Sequence, residues 1–240
     1  MIFDVDEFIA DLSVAKKMNL QNLLAAFYDP GKTTESRAAC FEVLTVVLTD
    51  RVELWKLVSD GLNHTEFPIQ RLAIGACHFF ESSRSSDSLW NIFLSCNENR
   101  FLAIRELSKF GDSRVLDACI VLASTDKRVD TLEAIISLSF LRDAEALPFL
   151  SAFLVSCRDE TLLAVTALAI SRCGGGNQQS EDIIVRFATT GTLEERLPFV
   201  CELARIQSRV GIDELKGMLE KSHELNKTAI RNALRTASLI

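Results

Sequence analysis

The sequence predicts an all-α protein: a right-handed α-solenoid of about seven helix hairpins behind an N-terminal helical cap. Three observations carry this. Apolar residues recur at helical spacing, and only 10 Gly and 4 Pro in 240 residues interrupt them. The stretch 134–150 reads as a helix, a tight turn and a returning helix. Ala134, Ile135 and Leu138 make one apolar face, Asp143 is a good N-cap, and Pro148 sits early enough in the next helix to be tolerated. The same pattern then returns about every thirty residues, the mark of a repeat array whose hairpins bury their faces on one another.

Residues 1–29 form the expected cap. Asp4 and Glu7 resemble a capping box ahead of Val5, Phe8, Ile9 and Leu12, and a second face follows at Leu20, Leu23, Leu24 and Phe27. Asp29-Pro30-Gly31 then breaks the pattern with turn chemistry. Residues 30–240 form one continuous array. Its small anchors are Ala39, Ala73, Ala103, Ala134, Ala164, Phe199 and Ala229, at spacings of 34, 30, 31, 30, 35 and 30. A small anchor lets adjacent helices approach closely. Phe199, directly after Pro198, is the exception, and the Thr192/Glu195 capping box places that proline inside its helix.

Second helices are expected at about 51–62, where Asp50 and Glu53 supply the cap, and near 88–96, 113–123, 144–155, 180–188 and 212–221. The two long spacings point to flexible surface insertions at Glu81–Ser86 and Cys173–Ser180.

Composition narrows the function classes. Lys and Arg number 26 against 33 Asp and Glu, a net charge of −7 spread over both halves of the chain. A protein that grips a phosphate backbone needs a basic patch, so nucleic acid is an unlikely partner. Seven cysteines, an odd number with no CxxC pair, argue against a zinc site or a disulfide framework and fit a reducing, cytoplasmic setting. The acidic N-terminus lacks the basic start of a signal peptide, and no apolar run reaches the ~18 residues that span a bilayer.

No chemistry-bearing motif emerges. His64, His78 and His223 form no metal-spaced pair, and the Gly174–Gly176 run lacks the Gly-Lys-Ser/Thr of a phosphate loop. The cysteines read as core packing. Lys227, Arg231 and Arg235 form a basic stripe best read as a solvated end cap. Neither a catalytic residue, a metal nor a cofactor is expected.

Residues 138–150 resemble the HEAT-type repeat, especially the short subclass also found in phycobilisome lyases, with Asp143, Ala146, Pro148 and Leu150 in register. Leu107, Gly111 and Asp112 match in the preceding unit. Arg142 replaces the turn glycine, and Gly174 comes two residues late. The family often has Arg three residues before the anchor; Arg100 and Arg196 match, whereas Ser36, Gln70, Thr131, Thr161 and Asn226 do not. The resemblance spans about residues 34–238. It implies the solenoid fold and is nearly silent on function, because such repeats host scaffolds, adaptors and a few enzymes.

The leading expectation is a non-catalytic adaptor or scaffold that holds a protein partner on a concave face lined by the second helices. The alternatives are a chromophore-handling enzyme resembling the phycobilin lyases and, last because of the acidity, one resembling the HEAT-like DNA glycosylases. Sliding the second-helix register from Pro148-Phe149 places Trp55 and Trp90 side by side on adjacent helices, with Asp117 beyond them. Trp55, Trp90, Asp117 and Phe149, with Arg186 at the edge, form the expected partner site, since exposed aromatics carry interface energy.

Overall fold

The structure is a computed structural model. It describes residues 20–80, 82–176, 178–206 and 208–221, together with 227, 230, 231 and 233–235. The first expected cap helix and His223 lie outside the described residues. Among the described residues the secondary structure is helical, with no strand. The chain divides into two compact units, one ending at Phe110 and the other beginning at Gly111.

The first unit holds α1 (Leu20–Tyr28), α2 (Thr34–Val47), α3 (Arg51–Leu62), α4 (Phe67–Ala76), α5 (Ser82–Leu94) and α6 (Arg100–Phe110). Helices α2, α4 and α6 pack in succession as one layer, with α3 and α5 alongside as the other. The second unit holds α7 (Val115–Ala123), α8 (Arg128–Leu141), α9 (Leu147–Ser156), α10 (Glu160–Arg172), α11 (Gln178–Thr189), α12 (Leu193–Arg205) and α13 (Arg209–Lys221). Here α8, α10 and α12 form the first-helix layer, and α7, α9, α11 and α13 pair with them.

Side-chain oxygens open several of these helices. Asp50 accepts from the amides of Val52 and Glu53, Thr33 from Ser36, and Asp159 from Leu162. Thr192 and Glu195 complete the capping box, and α12 runs through Pro198. Asp143 caps a short 3₁₀ turn, Ala144–Ala146, that leads into α9.

The buried columns match the sequence reading in the middle of the chain. Ala73, Ala103 and Ala134 are wholly buried, and so are Ile104, Ile135, Leu107 and Leu138. Two anchors need correction. Ala39 is exposed, whereas Phe41 and Leu44 are buried. The register of α2 therefore begins at Cys40, because Phe41 must reach Phe27 at a ring separation of 5.6 Å. In α10 the expected Ala164 and Leu168 are buried and Val165 is half-buried, while Thr166, Ala167 and Ile170 lie deeper still. The left-handed residues that end the helices confirm the shift: Gly111 (φ 71°), Arg142 (φ 56°) and Gly174 (φ 85°) each follow an anchor by eight residues once Thr166 replaces Ala164. Gly174 is not late; the anchor lies two residues further on. Ala229 lies outside the described residues, but Ile230 beside it is buried in the core of the second unit.

The expected insertions are also structured. Ser82–Ser86 belong to the first turns of α5, and Ser85 is fully buried. In the glycine run, Gly175 sits against Leu147 and Ile170, where a Cβ would come within 2.4 Å of a Leu147 methyl.

A donor side chain three residues before the anchor recurs. Arg37 Nε donates to the Phe27 carbonyl (2.9 Å), Gln70 Nε2 to Leu62 (3.1 Å), Thr131 Oγ1 to Ala123 (3.4 Å) and Arg196 Nε to Ala188 (2.7 Å). Each acceptor lies near the C-terminus of the preceding second helix, where carbonyls lack intrahelical partners. Gln70 also joins Asn97 and the buried Asn99, whose Nδ2 donates to Phe67 O and Gln70 Oε1.

The second unit buries one charge network. Glu202, 3% exposed, accepts from Arg205 (2.6 Å) and from Ser171 Oγ (2.6 Å), and pairs with Arg172 at 3.5 Å. Arg205 also donates to the Ser171 carbonyl, and Arg172 to Ser139 Oγ. Burial pushes the Glu202 carboxyl up, but the hydrogen bonds from Arg205 and Ser171 and the charges of Arg205 and Arg172 outweigh it, so its pKa lies below the ordinary value.

Two predictions follow from this packing. A methyl at Gly61 would stand 2.8 Å from both Ala73 Cβ and Phe41 Cε2, whereas one at Gly75 meets nothing within 4 Å. Gly61→Ala should destabilise the protein by about 1–3 kcal/mol through overpacking. Gly75→Ala, inside α4, should stabilise it by about 0.5–1 kcal/mol. Chemical denaturation of both variants checks the pair. For Glu202, a folded pKa below the unfolded one gives stability that is present above about pH 4.3 and is lost as pH falls through the folded value. Melting curves across pH 3–7 should therefore show Glu202→Gln well below the parent at pH 7, with the gap narrowing on acidification.

Candidate functional site

An apolar hollow in the second unit lies among α10, α11 and the start of α12. Its volume is about 400 Å³, within the ~300–1,000 Å³ range of ligand pockets. Thr161, Ala164 and Val165 line it from α10, Phe187 from α11, Thr190 and Gly191 from the following turn, and Glu195 and Phe199 from α12. Its walls are predominantly apolar, with the two threonine hydroxyls and one carboxylate as polar points.

Phe199 explains the opening. It occupies the anchor position where α8 has Ala134 and α10 has Thr166, and its ring stacks on Phe187 at 5.3 Å with an interplanar angle of 26°. A phenyl ring where neighbours carry a small side chain props the helices apart. The irregular anchor was visible in the sequence; its pairing with Phe187 was not, because it depends on how α11 folds back.

The electrostatics are local. Glu195 accepts from the Thr192 amide (2.8 Å) and hydroxyl (3.0 Å), and these bonds hold its carboxyl below the usual range. Arg186 reaches across from α11 to Glu160 of α10 at 2.6 Å, and its guanidinium carbon lies 5.0 Å from the centre of the Phe187 ring.

The expected site residues divide between the units. Trp55 and Trp90 are half-buried in the first. The Trp55 ring meets Phe80 edge-on at 5.1 Å, and Trp90 lies 5.4 Å from Phe93. Leu54, Val58 and Leu62 of α3, and Ser85 and Leu89 of α5, are the buried four-residue columns. Each indole directly follows a buried residue of its own helix, Leu54 in α3 and Leu89 in α5. In the second unit Asp117 and Arg186 are exposed, while Phe149, expected to face outward, is half-covered and lies 6.1 Å from Phe153.

The remaining polar groups serve the fold. The two ring nitrogens of His64 lie 3.0 Å from the Glu66 amide and 2.7 Å from an Arg37 nitrogen, and Arg37 pairs with Glu66 at 2.9 Å. Burial first, then Arg37, lowers the His64 pKa, with Glu66 opposing. Cys77 and Cys119 are pushed up to about 12 and Cys173 to about 11, chiefly by burial, so these thiols resist ionisation. Among the described residues no cluster of His, Cys, Asp and Glu is placed to hold a metal ion, and no helix is long and apolar enough to cross a membrane.

No protein-family model and no curated protein matches the sequence. Among solved structures, the fold is similar to a chain in the complex of CpcE and CpcF of phycocyanin lyase from Nostoc sp. PCC7120. The TM-score is 0.60 at 14% sequence identity, over 92% of this chain and 95% of that one. The likeness covers nearly the full length of both chains and establishes a shared helical-repeat fold.

Proposed function

We propose that this chain is a lyase-type helical-repeat subunit that handles an open-chain tetrapyrrole and works together with a protein partner. The observation that carries the reading is the fold likeness over nearly the whole of both chains, to a structure that is itself a complex of two proteins. The apolar cleft of the second unit supports it, being a concave site with few polar points, as small-molecule sites are. The test is to titrate the purified chain with biliverdin. A red shift and sharpening of the visible absorption band on binding is the expected result; a spectrum that remains that of free biliverdin at saturating protein overturns the reading.

A second reading, an adaptor without a chromophore, draws on Trp55 and Trp90. Two half-buried indoles on one face of successive helices are the residue type that anchors an interface. Trp55→Ala and Trp90→Ala should each weaken partner capture at least tenfold, about 1.4 kcal/mol, with the melting curve little changed. A melting temperature lowered by many degrees returns both indoles to packing.

A further inference from the structure

We infer that Arg186 is the carboxylate anchor of the cleft, released from Glu160 when an apolar ligand bearing an acid group enters. The inference rests on the chromophore-handling reading, in which the acid is a tetrapyrrole propionate. Three observations converge on it.

First, the Arg186 guanidinium stands beside the cleft, next to its lining residues without being one of them. It lies 5.0 Å from the centre of the Phe187 ring, a wall of the cleft. Thr190, one helical turn further on, lines the same hollow, and its hydroxyl donates to the Arg186 carbonyl. Glu160, the present partner, directly precedes the lining residue Thr161.

Second, the Arg186–Glu160 pair is exchangeable. Its side chains are 50% and 67% exposed. Water screens such a pair, so it contributes little to stability, and an incoming carboxylate displaces Glu160 at small cost. The contrast within the same unit is Glu202, 3% exposed and held by Arg205, Ser171 and Arg172, which has no such freedom.

Third, the charges at the cleft give the ligand a direction. The one ionised lining group, Glu195, is already committed to the Thr192 amide and hydroxyl and repels a carboxylate. The acid is therefore drawn toward Arg186, while the apolar body lies against Ala164, Val165, Phe187 and Phe199. A guanidinium beside an aromatic wall offers two parallel donors to a carboxylate and a flat face to a conjugated ring.

The experiment compares biliverdin with biliverdin dimethyl ester, which keeps the conjugated body and loses both acids. Binding to the full chain is followed by absorbance and by quenching of protein fluorescence. Arg186→Gln should weaken biliverdin roughly tenfold or more, the worth of a hydrogen-bonded charge. Glu160→Gln, which frees Arg186, should tighten it several-fold. Neither change should alter ester binding, and both variants should melt like the parent. Thr190→Trp, which fills the hollow, should abolish binding of both compounds. This opposite response of the two members of one ion pair is what a merely structural bridge would not give. If biliverdin and its ester bind equally and neither pair variant moves either affinity, Arg186 is not the anchor although the chromophore reading stands. If Thr190→Trp binds as the parent does, the ligand sits elsewhere and the inference falls. If the parent binds neither compound, the functional reading and this inference fall together.

Discussion

The rest of the structure depends on how each second helix is closed. A helix leaves its last carbonyls without partners, and in a packed array some of them face protein. Arg37, Gln70, Thr131 and Arg196 solve this from one place, three residues before the anchor of the next first helix. The bond fixes the end of one hairpin to the start of the next and sets the depth at which the anchor enters the contact. What the position requires is a donor of suitable reach, so guanidinium, amide and hydroxyl all serve. In α10 Leu163 occupies the place. There the unit is held by the Glu202 network and by the close packing of Gly175 on Leu147.

Much of the fold was legible because burial imposes a period. Ala73, Ala103 and Ala134 were identifiable from spacing alone and are wholly buried. The caps at Asp50, Asp159 and Thr192 and the helical proline Pro198 rest on local chemistry, and the first and last of the caps were read correctly from it. The misplacement of Ala39 and the two-residue register shift at Ala164, itself buried, share a cause. Both residues are alanines near the right place, and a small residue carries no information about its own depth. Phe41 and the glycine at 174 did carry it, through an aromatic contact and a left-handed backbone, but each signal is read only against a partner distant in the chain. The expected Ser-rich insertion failed for a related reason: polarity was taken for a loop, whereas Ser85 faces inward and α5 begins before it.

The candidate site was less legible. Phe199 stood out as an irregular anchor, and Arg186 was placed at the edge of a binding surface. Nothing in the order of residues joins Phe199 to Phe187, or Arg186 to Glu160 twenty-six positions earlier. The tryptophans were legible as aromatics on second helices, but their half-buried settings beside Phe80 and Phe93 depend on packing that the order of residues does not display.

The wedge at Phe199 has a consequence for the energetics of any guest. A cleft held ajar by a stacked aromatic pair, within the folded core, is present before the guest arrives. No helix has to separate and no loop has to order, so little of the intrinsic affinity is spent on reorganisation. The same rigidity limits how tightly the walls can close afterward. On the chromophore-handling reading proposed above, a guest in such a cleft would enter and leave quickly, as passing a molecule onward requires.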